Sequence, residues 1–433
     1  MDNPNQLQTR QSSSTRTGAR MESLITNVLI TGGAGFIGSN LALALIRKGY
    51  AVTVLDNLSP QIHGDHSPLY ESIKEKVTFV LGDVRNKADW VNALRGQDAV
   101  IHLAAETGTG QSMYEVEKYV DVNVRGTAVL LDILANSEHS VQKVIVASSR
   151  AIYGEGKYAC TSCGDVYPKE RLDMHMSAGD FEAKCPICSR AVDPRGTDES
   201  SRIHPSSVYG ITKQTQEQMV LVCCKALNIP AVAFRYQNVY GPGQSLSNPY
   251  TGILSIFSTR IKNANDIAVF EDGNETRDFV YIDDVVSATI LGLESRSMDW
   301  EVYNVGSGQP VSVLTVAETL RSAYGAKVGI AVTGNYRLGD IRHNFADLSK
   351  VSSRLGFSPA VSFSEGIGRF ANWVNEQRIE ADNSDTSLNE MKARNLYKES
   401  NANTPARPDI LLQSDSPIGK SFPLQNGGIQ LSP

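Results

Sequence analysis

The chain has 433 residues, 41% hydrophobic and 20% charged, with a formal net charge of −6. This is ordinary globular composition, and the length is enough to divide a core between two lobes. The mild acidity argues against a dedicated nucleic-acid binder, which carries a basic field, and no apolar run is long enough to cross a membrane.

Residues 1–22 are rich in Gln, Ser, Thr and Arg and have no apolar run. They read as a flexible tail without a secretory segment; Asp2 and the missing apolar face also weigh against a mitochondrial presequence. A cytoplasmic, reducing location is the expectation, and it disfavours disulfides.

Asn27-Val-Leu-Ile-Thr31 reads as a short buried strand. Gly32-Gly-Ala-Gly35-Phe-Ile-Gly38 follows, then an amphipathic helix from Ser39 to Lys48. In this order Gly32 allows a tight turn, Gly35 lets the backbone approach a pyrophosphate, and Gly38 permits close helix–strand packing. The helix N-terminus then offers free N–H groups to phosphate. A second strand, Ala51–Leu55, ends in Asp56, whose carboxylate suits both ribose hydroxyls and repels a 2′-phosphate. No Arg follows closely, so NAD is favoured over NADP. A third strand, Val77–Leu81, leads to Asp83, a partner for the adenine amine. A fourth, Ala99–Leu103, runs into Ala104 and Ala105, small enough for a cofactor to lie against the backbone. A fifth, Val141–Ala147, ends at Ser148-Ser149. Phe36, Ile37, Asn57, Val84 and Asn123 are further candidates for the dinucleotide site. Helical stretches separate the strands, so the sheet should be parallel.

Two cysteine pairs come next, Cys160-Thr-Ser-Cys163 and Cys185-Pro-Ile-Cys188. Only six cysteines exist in the chain, and four in two such pairs give the soft tetrahedral donor set of zinc. The alternatives are two disulfides or free core thiols. Four thiolates close the coordination shell, so the expected zinc is structural. The insert, residues about 155–200, is expected to fold over the substrate mouth or to extend the edge of the second lobe. Cys223 and Cys224 read as core residues of a helix.

Tyr209-Gly-Ile-Thr-Lys213 lies in a helical pattern, so Tyr209 and Lys213 share one face. A free phenol titrates at about 10. A nearby ammonium and a positively charged nicotinamide both favour phenolate, and Ser149 would hold a substrate oxygen beside it. Tyr209 and Lys213 therefore count as both catalytic and cofactor-facing residues, and Ser149 as both catalytic and substrate-facing.

With these residues stand Ser148-Ser-Arg-Ala-Ile-Tyr153-Gly154, Arg235-Tyr-Gln-Asn238-Val-Tyr-Gly-Pro242, Arg277-Asp-Phe-Val-Tyr-Ile-Asp-Asp284 and Tyr303-Asn-Val-Gly-Ser-Gly308. Over about residues 27–375 the chain resembles the extended short-chain dehydrogenase/reductases, specifically the NAD-dependent epimerase/dehydratases of nucleotide sugars. The resemblance implies an α/β fold: a Rossmann-type doubly wound parallel sheet with a smaller C-terminal substrate lobe, here with a zinc-knuckle insert. It assigns residues 23–235 to NAD and mainly 236–379 to substrate. It implies bound NAD, a nucleoside-diphosphate sugar between the lobes and transient oxidation, usually at C4. By the same resemblance Asn238 and Arg277 grip the diphosphate, and Arg342 is a second candidate for phosphate or ribose. Helices at 114–137 and 207–228 are the pair that relatives use to form a homodimer.

The two positions after Ser149 narrow the reaction. Dehydratases of the family place an Asp-Glu pair there, and its decarboxylases a Glu in the second position; this chain has Arg150 and Ala151. Epimerisation needs neither carboxylate. The zinc-type insert, Asp56–Gly64, Gly110–Tyr114 and Leu246–Gly252 look like the group of dTDP-L-rhamnose 4-epimerases, from which Arg150 and Gln237 depart. A 4-ketoreductase on the same frame and a non-catalytic NAD-binding scaffold are the rival readings. Residues 380–433, rich in Asn, Ser, Gln and Pro, read as a second flexible tail.

Overall fold

The computed structural model describes residues 24–64, 68–250, 252–295 and 300–399. Seven short apolar segments form the main sheet: β1 Asn27–Thr31, β2 Ala51–Asp56, β3 Thr78–Leu81, β4 Ala99–His102, β5 Lys143–Ser149, β6 Ala231–Tyr236 and β7 Glu301–Val305. They lie in the order β7-β6-β5-β4-β1-β2-β3, each pair parallel. The chain order reverses between β1 and β4, so a crevice opens beyond their carboxyl ends. Strands β4 and β5 are buried along their whole length, as a parallel sheet covered on both faces requires. Alternate residues feed two cores. Val28, Ile30, Ile101 and Ile145 point to one face, and Leu29, Val100, Val144 and Val146 to the other.

The first of these cores continues into a second lobe through Tyr240, Phe257, Phe279 and Phe370. There Asn238–Tyr240 runs parallel to Thr276–Tyr281, which also pairs antiparallel with Pro310–Ser312 and parallel with His343–Asn344. The chain also crosses back to the first lobe, because β7 completes the main sheet from within the later sequence.

The insert forms a three-stranded antiparallel sheet of Gly164–Val166, Tyr158–Cys160 and Asp193–Pro194. Its own core is small: Tyr158, Val166, Ala183 and Val192 packed around the cysteines. It extends the edge of the second lobe. Arg171 makes a two-pronged bond to Glu271, at 2.7 and 2.8 Å, and Phe181 and Met176 pack on Tyr336.

One expectation is corrected here. Residues 384–393 form a helix, and Tyr397–Lys398 pairs antiparallel with Tyr336–Arg337, so residues 380–399 are not a structureless tail. The helix escapes a sequence reading because its inward face is Ser384, Ser387, Leu388 and Met391, which is not an apolar stripe. Residues 1–22 and 400–433, the rest of the expected tails, lie outside the described residues.

Candidate active site

A cavity of about 610 Å³ runs from the glycine turn, past the carboxyl ends of the sheet, into the second lobe. Its first end is set by β1 and β4. Gly32 has φ +65°, and a Cβ there would stand 2.8 Å from the Ala104 nitrogen. A Cβ on Gly38 would lie 2.5 Å from the Gly33 Cα. The turn therefore closes only without side chains, and Gly32, Gly35, Phe36, Ile37 and Gly38 all face the cavity. The Asp56 carboxylate is fixed by the backbone N–H groups of Ala34 at 3.0 Å and Leu58 at 2.9 Å, and it too faces the cavity.

Asn57 donates to Asp83 at 3.2 Å, and Arg85 holds the same carboxylate down to about 2 by hydrogen bonding. Asp83, Val84, Ala104 and Ala105 line the cavity beyond them. Asn123 does not. It is fully buried behind the wall, where it bonds both backbone groups of Glu106 and donates to Thr212 at 3.0 Å. It shapes the Ala105–Glu106 loop and does not itself reach the cavity.

At the centre, β5 ends in Ser149 and the helix Val208–Ala226 begins one residue before Tyr209. Ser207 caps that helix by accepting from the Gly210 N–H at 3.1 Å, and Ser112 accepts from the Tyr209 N–H at 3.0 Å. Both Ser149 and Tyr209 line the cavity, with the Ser149 hydroxyl near enough to act on the phenol. Burial raises the phenol above its ordinary value. The nearby Ser149 hydroxyl and the positive charge of Arg150 act in the opposite direction. Lys213 is also buried, one turn further on, and donates to Gln216 at 2.8 Å. Burial lowers its ammonium to about 7. It does not line the cavity, and the cation that acts on the phenol here is Arg150.

Toward the second lobe, Asn238 accepts from Arg150 Nε at 3.3 Å and donates to the Asp278 carbonyl at 3.1 Å. Arg277 faces the cavity while donating to the carbonyls of Ile341 and Arg342 at 2.6 and 2.9 Å. Arg342 is corrected. Its side chain is fully buried and held by Glu182, Glu271 and Asp272, so it clamps the insert to the lobe and does not meet the cavity. Arg150 is the converse case. It was not among the candidate site residues, yet it lines the cavity.

Arg260, Arg337 and Glu275 also face the cavity and carry no motif. Arg337 stands five residues before Arg342; only the insert, by covering Arg342, decides which of the two is left facing inward. Burial pushes the Glu275 carboxyl up to about 7. Gln237 is buried in the same wall with both amide atoms unpartnered.

The four cysteine sulfurs lie within 4.8 Å of one another, with Cys160 and Cys188 3.6 Å apart. No disulfide joins them. The backbone N–H groups of Ser162 and Cys163 lower the Cys160 thiol to about 6.

Residues 28–171 and 187–306 match the profile of the NAD dependent epimerase/dehydratase family. The chain belongs to that family. The break in the match falls inside the insert. A dTDP-L-rhamnose 4-epimerase of Burkholderia thailandensis is 39% identical over 357 residues, covering 81% of this chain and 95% of that one. Among solved structures, the UDP-glucuronic acid 4-epimerase of Bacillus cereus, in complex with UDP-glucuronic acid and NAD, superposes with a TM-score of 0.66 at 27% identity, covering 81% and 99%. The UDP-glucose 4-epimerase of Thermotoga maritima with UDP-glucose gives 0.66 at 28%, with the same coverage. Among the described residues, no helix is long and apolar enough to cross a membrane.

Proposed function

We propose that the protein is an NAD-dependent nucleotide-sugar 4-epimerase, inverting C4 of a nucleoside-diphosphate hexose through a transient 4-keto sugar. Its proposed substrate is dTDP-L-rhamnose, giving dTDP-6-deoxy-L-talose. The observation that carries the reading is the placing of Ser149 and Tyr209 together in the wall of a cavity that begins at a glycine-rich dinucleotide turn. The 39% identity to a dTDP-L-rhamnose 4-epimerase supports the choice of sugar.

The turn fits NAD, because the phosphate end is bare backbone and Asp56 offers a carboxylate to ribose hydroxyls while repelling a 2′-phosphate. Gly32, Gly35, Gly38, Asp56 and Asp83 would hold it. When bound, it supplies the hydride acceptor and then donor at the sugar carbon. Ser149 holds the C4 oxygen in reach of Tyr209. Tyr209 takes the hydroxyl proton as that carbon is oxidised and returns it once the ketone has presented its other face. Arg150 favours the phenolate, while Lys213, buried one turn further on, donates to Gln216 behind the cavity wall. Arg277 and Asn238 face the diphosphate end, where a guanidinium matches phosphate oxygens. Arg150 and Ala151 put no carboxylate beside the sugar at the two positions that elimination of water would use.

The cysteine cluster fits structural zinc. Zn–S bonds of about 2.3 Å place tetrahedral sulfurs about 3.8 Å apart, close to the Cys160–Cys188 separation. A homodimer fits the exposed Val116, Val120, Ile211 and Val222 on the paired helices at 116–136 and 208–226. Light scattering should give twice the chain mass, and Val222→Asp should return it to the monomer value.

The deciding experiment incubates the protein with dTDP-L-rhamnose and follows the hexose by NMR. Inversion at C4 alone, without net cofactor turnover, supports the reading. Net formation of reduced cofactor together with 4-keto sugar identifies a ketoreductase running in reverse. Inversion of another nucleotide sugar only would keep the reaction class and discard the sugar.

A further inference from the structure

The helix Ser384–Ala393 forms a wall of the cavity. Ser384, Ser387, Leu388 and Met391, spaced i, i+3, i+4 and i+7, all face it. Two serines in four inward positions make a poor hydrophobic face, yet Ser384, Ser387 and Met391 are buried. The Ser384 hydroxyl is satisfied within the protein, accepting from Arg260 and donating to Asp382, so Ser387 is the hydroxyl offered to the cavity. Ser387 donates its proton to the Ser384 carbonyl at 2.9 Å, which leaves its oxygen lone pairs free to accept from a ligand hydroxyl.

The helix is tied to both lobes. Glu390 accepts from the Tyr114 hydroxyl at 2.9 Å and the Tyr250 hydroxyl at 2.5 Å. Tyr114 belongs to the sheet domain and Tyr250 to the second lobe. The Arg394 guanidinium stands 4.2 Å from the Tyr114 ring centroid. Arg260, itself a cavity residue, donates to the Ser384 hydroxyl at 2.7 Å. Met391 packs so closely on Gly110 that a Cβ there would lie 3.1 Å from its sulfur. Tyr397–Lys398 then pairs with the strand that carries cavity-facing Arg337. The relatives are covered almost end to end, at 95% and 99% of their own length, while about a fifth of this chain finds no counterpart in them.

We propose that residues 380–399 are a substrate-binding strap: by bridging the lobes they complete the cavity around a nucleoside-diphosphate sugar and retain its 4-keto intermediate. The proposal rests on the nucleotide-sugar epimerase reading above. Glu390 is the pin, and Ser387 and Met391 are the contacts offered to the ligand.

The test uses the full-length, NAD-loaded protein, a Glu390→Ala variant and a chain ending at Arg378, with dTDP and UDP as probes. In the wild type, dTDP or UDP should slow tryptic cleavage at Lys392 and Arg394. Both variants should bind the nucleotides about tenfold more weakly by calorimetry. During turnover they should release 4-keto sugar, detected by mass spectrometry, where the wild type releases none. If the shortened chain does not fold, Glu390→Ala decides alone. Wild-type affinity and no released ketone in the variants overturn the strap, as does cleavage that neither nucleotide slows. Should the wild type epimerise no nucleotide sugar while dTDP still protects residues 380–399, the epimerase reading falls and the binding element stands.

Discussion

The Ser149 hydroxyl and the Tyr209 phenol meet in the wall of the cavity, although the whole cysteine-bearing insert lies between them in the chain. Ser149 closes β5, and Tyr209 opens a helix that packs on that same strand. The pair is held by a strand and a helix, so a loop of any length can leave between them at the sheet's carboxyl edge. Its placement on rigid elements is what acid–base chemistry needs.

Replacing Tyr209 with Phe removes the proton carrier and keeps the ring. Turnover of dTDP-L-rhamnose should fall by about 10²–10⁴-fold, while dTDP affinity stays within a few-fold. NMR of the hexose and calorimetry with dTDP measure the two. Undiminished turnover would remove Tyr209 from the mechanism.

Lys213 carries a pH signature. Burial lowers its ammonium from 10.5 to about 7, so between those values the unfolded chain binds the proton that the folded chain has lost. Unfolding free energy rises with pH wherever the unfolded state binds more protons. This group therefore makes cofactor-free protein more stable as pH climbs from about 7 toward 10.5. Lys213→Met should flatten that slope and raise the melting temperature near pH 7, with turnover reduced. Melting curves across that pH range check it; an unchanged slope would show that Lys213 stays charged in the fold.

The sheet was legible because glycine spacing and buried apolar runs are local signals. All five strands read from sequence recur within two residues of their expected ends. Ser149 and Tyr209 were legible because each sits at the end of such an element. Three things were not. Arg342 and Arg337 are indistinguishable until the insert covers one of them. Asn123 works through the backbone of Glu106, which no motif marks. The strap carries serines where an amphipathic helix normally carries aliphatic residues, so its period is invisible without the cavity it faces.

Arg342 and Arg277 should separate on mutation. Arg342→Ala removes one of the two arginines that hold buried Glu271, leaving Arg171, and unpins Glu182 and Asp272. Breaking a buried pair costs about 3–5 kcal/mol. That is an upper figure here, because Glu182 and Asp272 keep 48% and 40% of their side chains exposed. Urea unfolding should show the loss, while dTDP affinity changes little. Arg277→Ala should instead weaken dTDP binding by about tenfold or more. A weaker KM for Arg342→Ala with unaltered stability would return that residue to the cavity.

The cysteine cluster yields the last prediction. The insert has a small apolar core, and its four cysteine sulfurs gather within 4.8 Å of one another, the donor set proposed for zinc. Zinc binding to such a site contributes folding free energy, about 10 kcal/mol or more in zinc peptides at neutral pH. The insert lines no part of the cavity, so a bound zinc would act on stability and not on the reacting atoms. Metal analysis should find one zinc per chain. A strong chelator should lower the melting temperature and open the insert to protease, while KM for the nucleotide sugar holds until the Arg171–Glu271 and Arg342–Glu182 clamps give way. Cys188→Ser should reproduce the chelator's effect and make the protein insensitive to it. If chelated protein melts as the untreated protein does, the four thiols hold the insert without a metal.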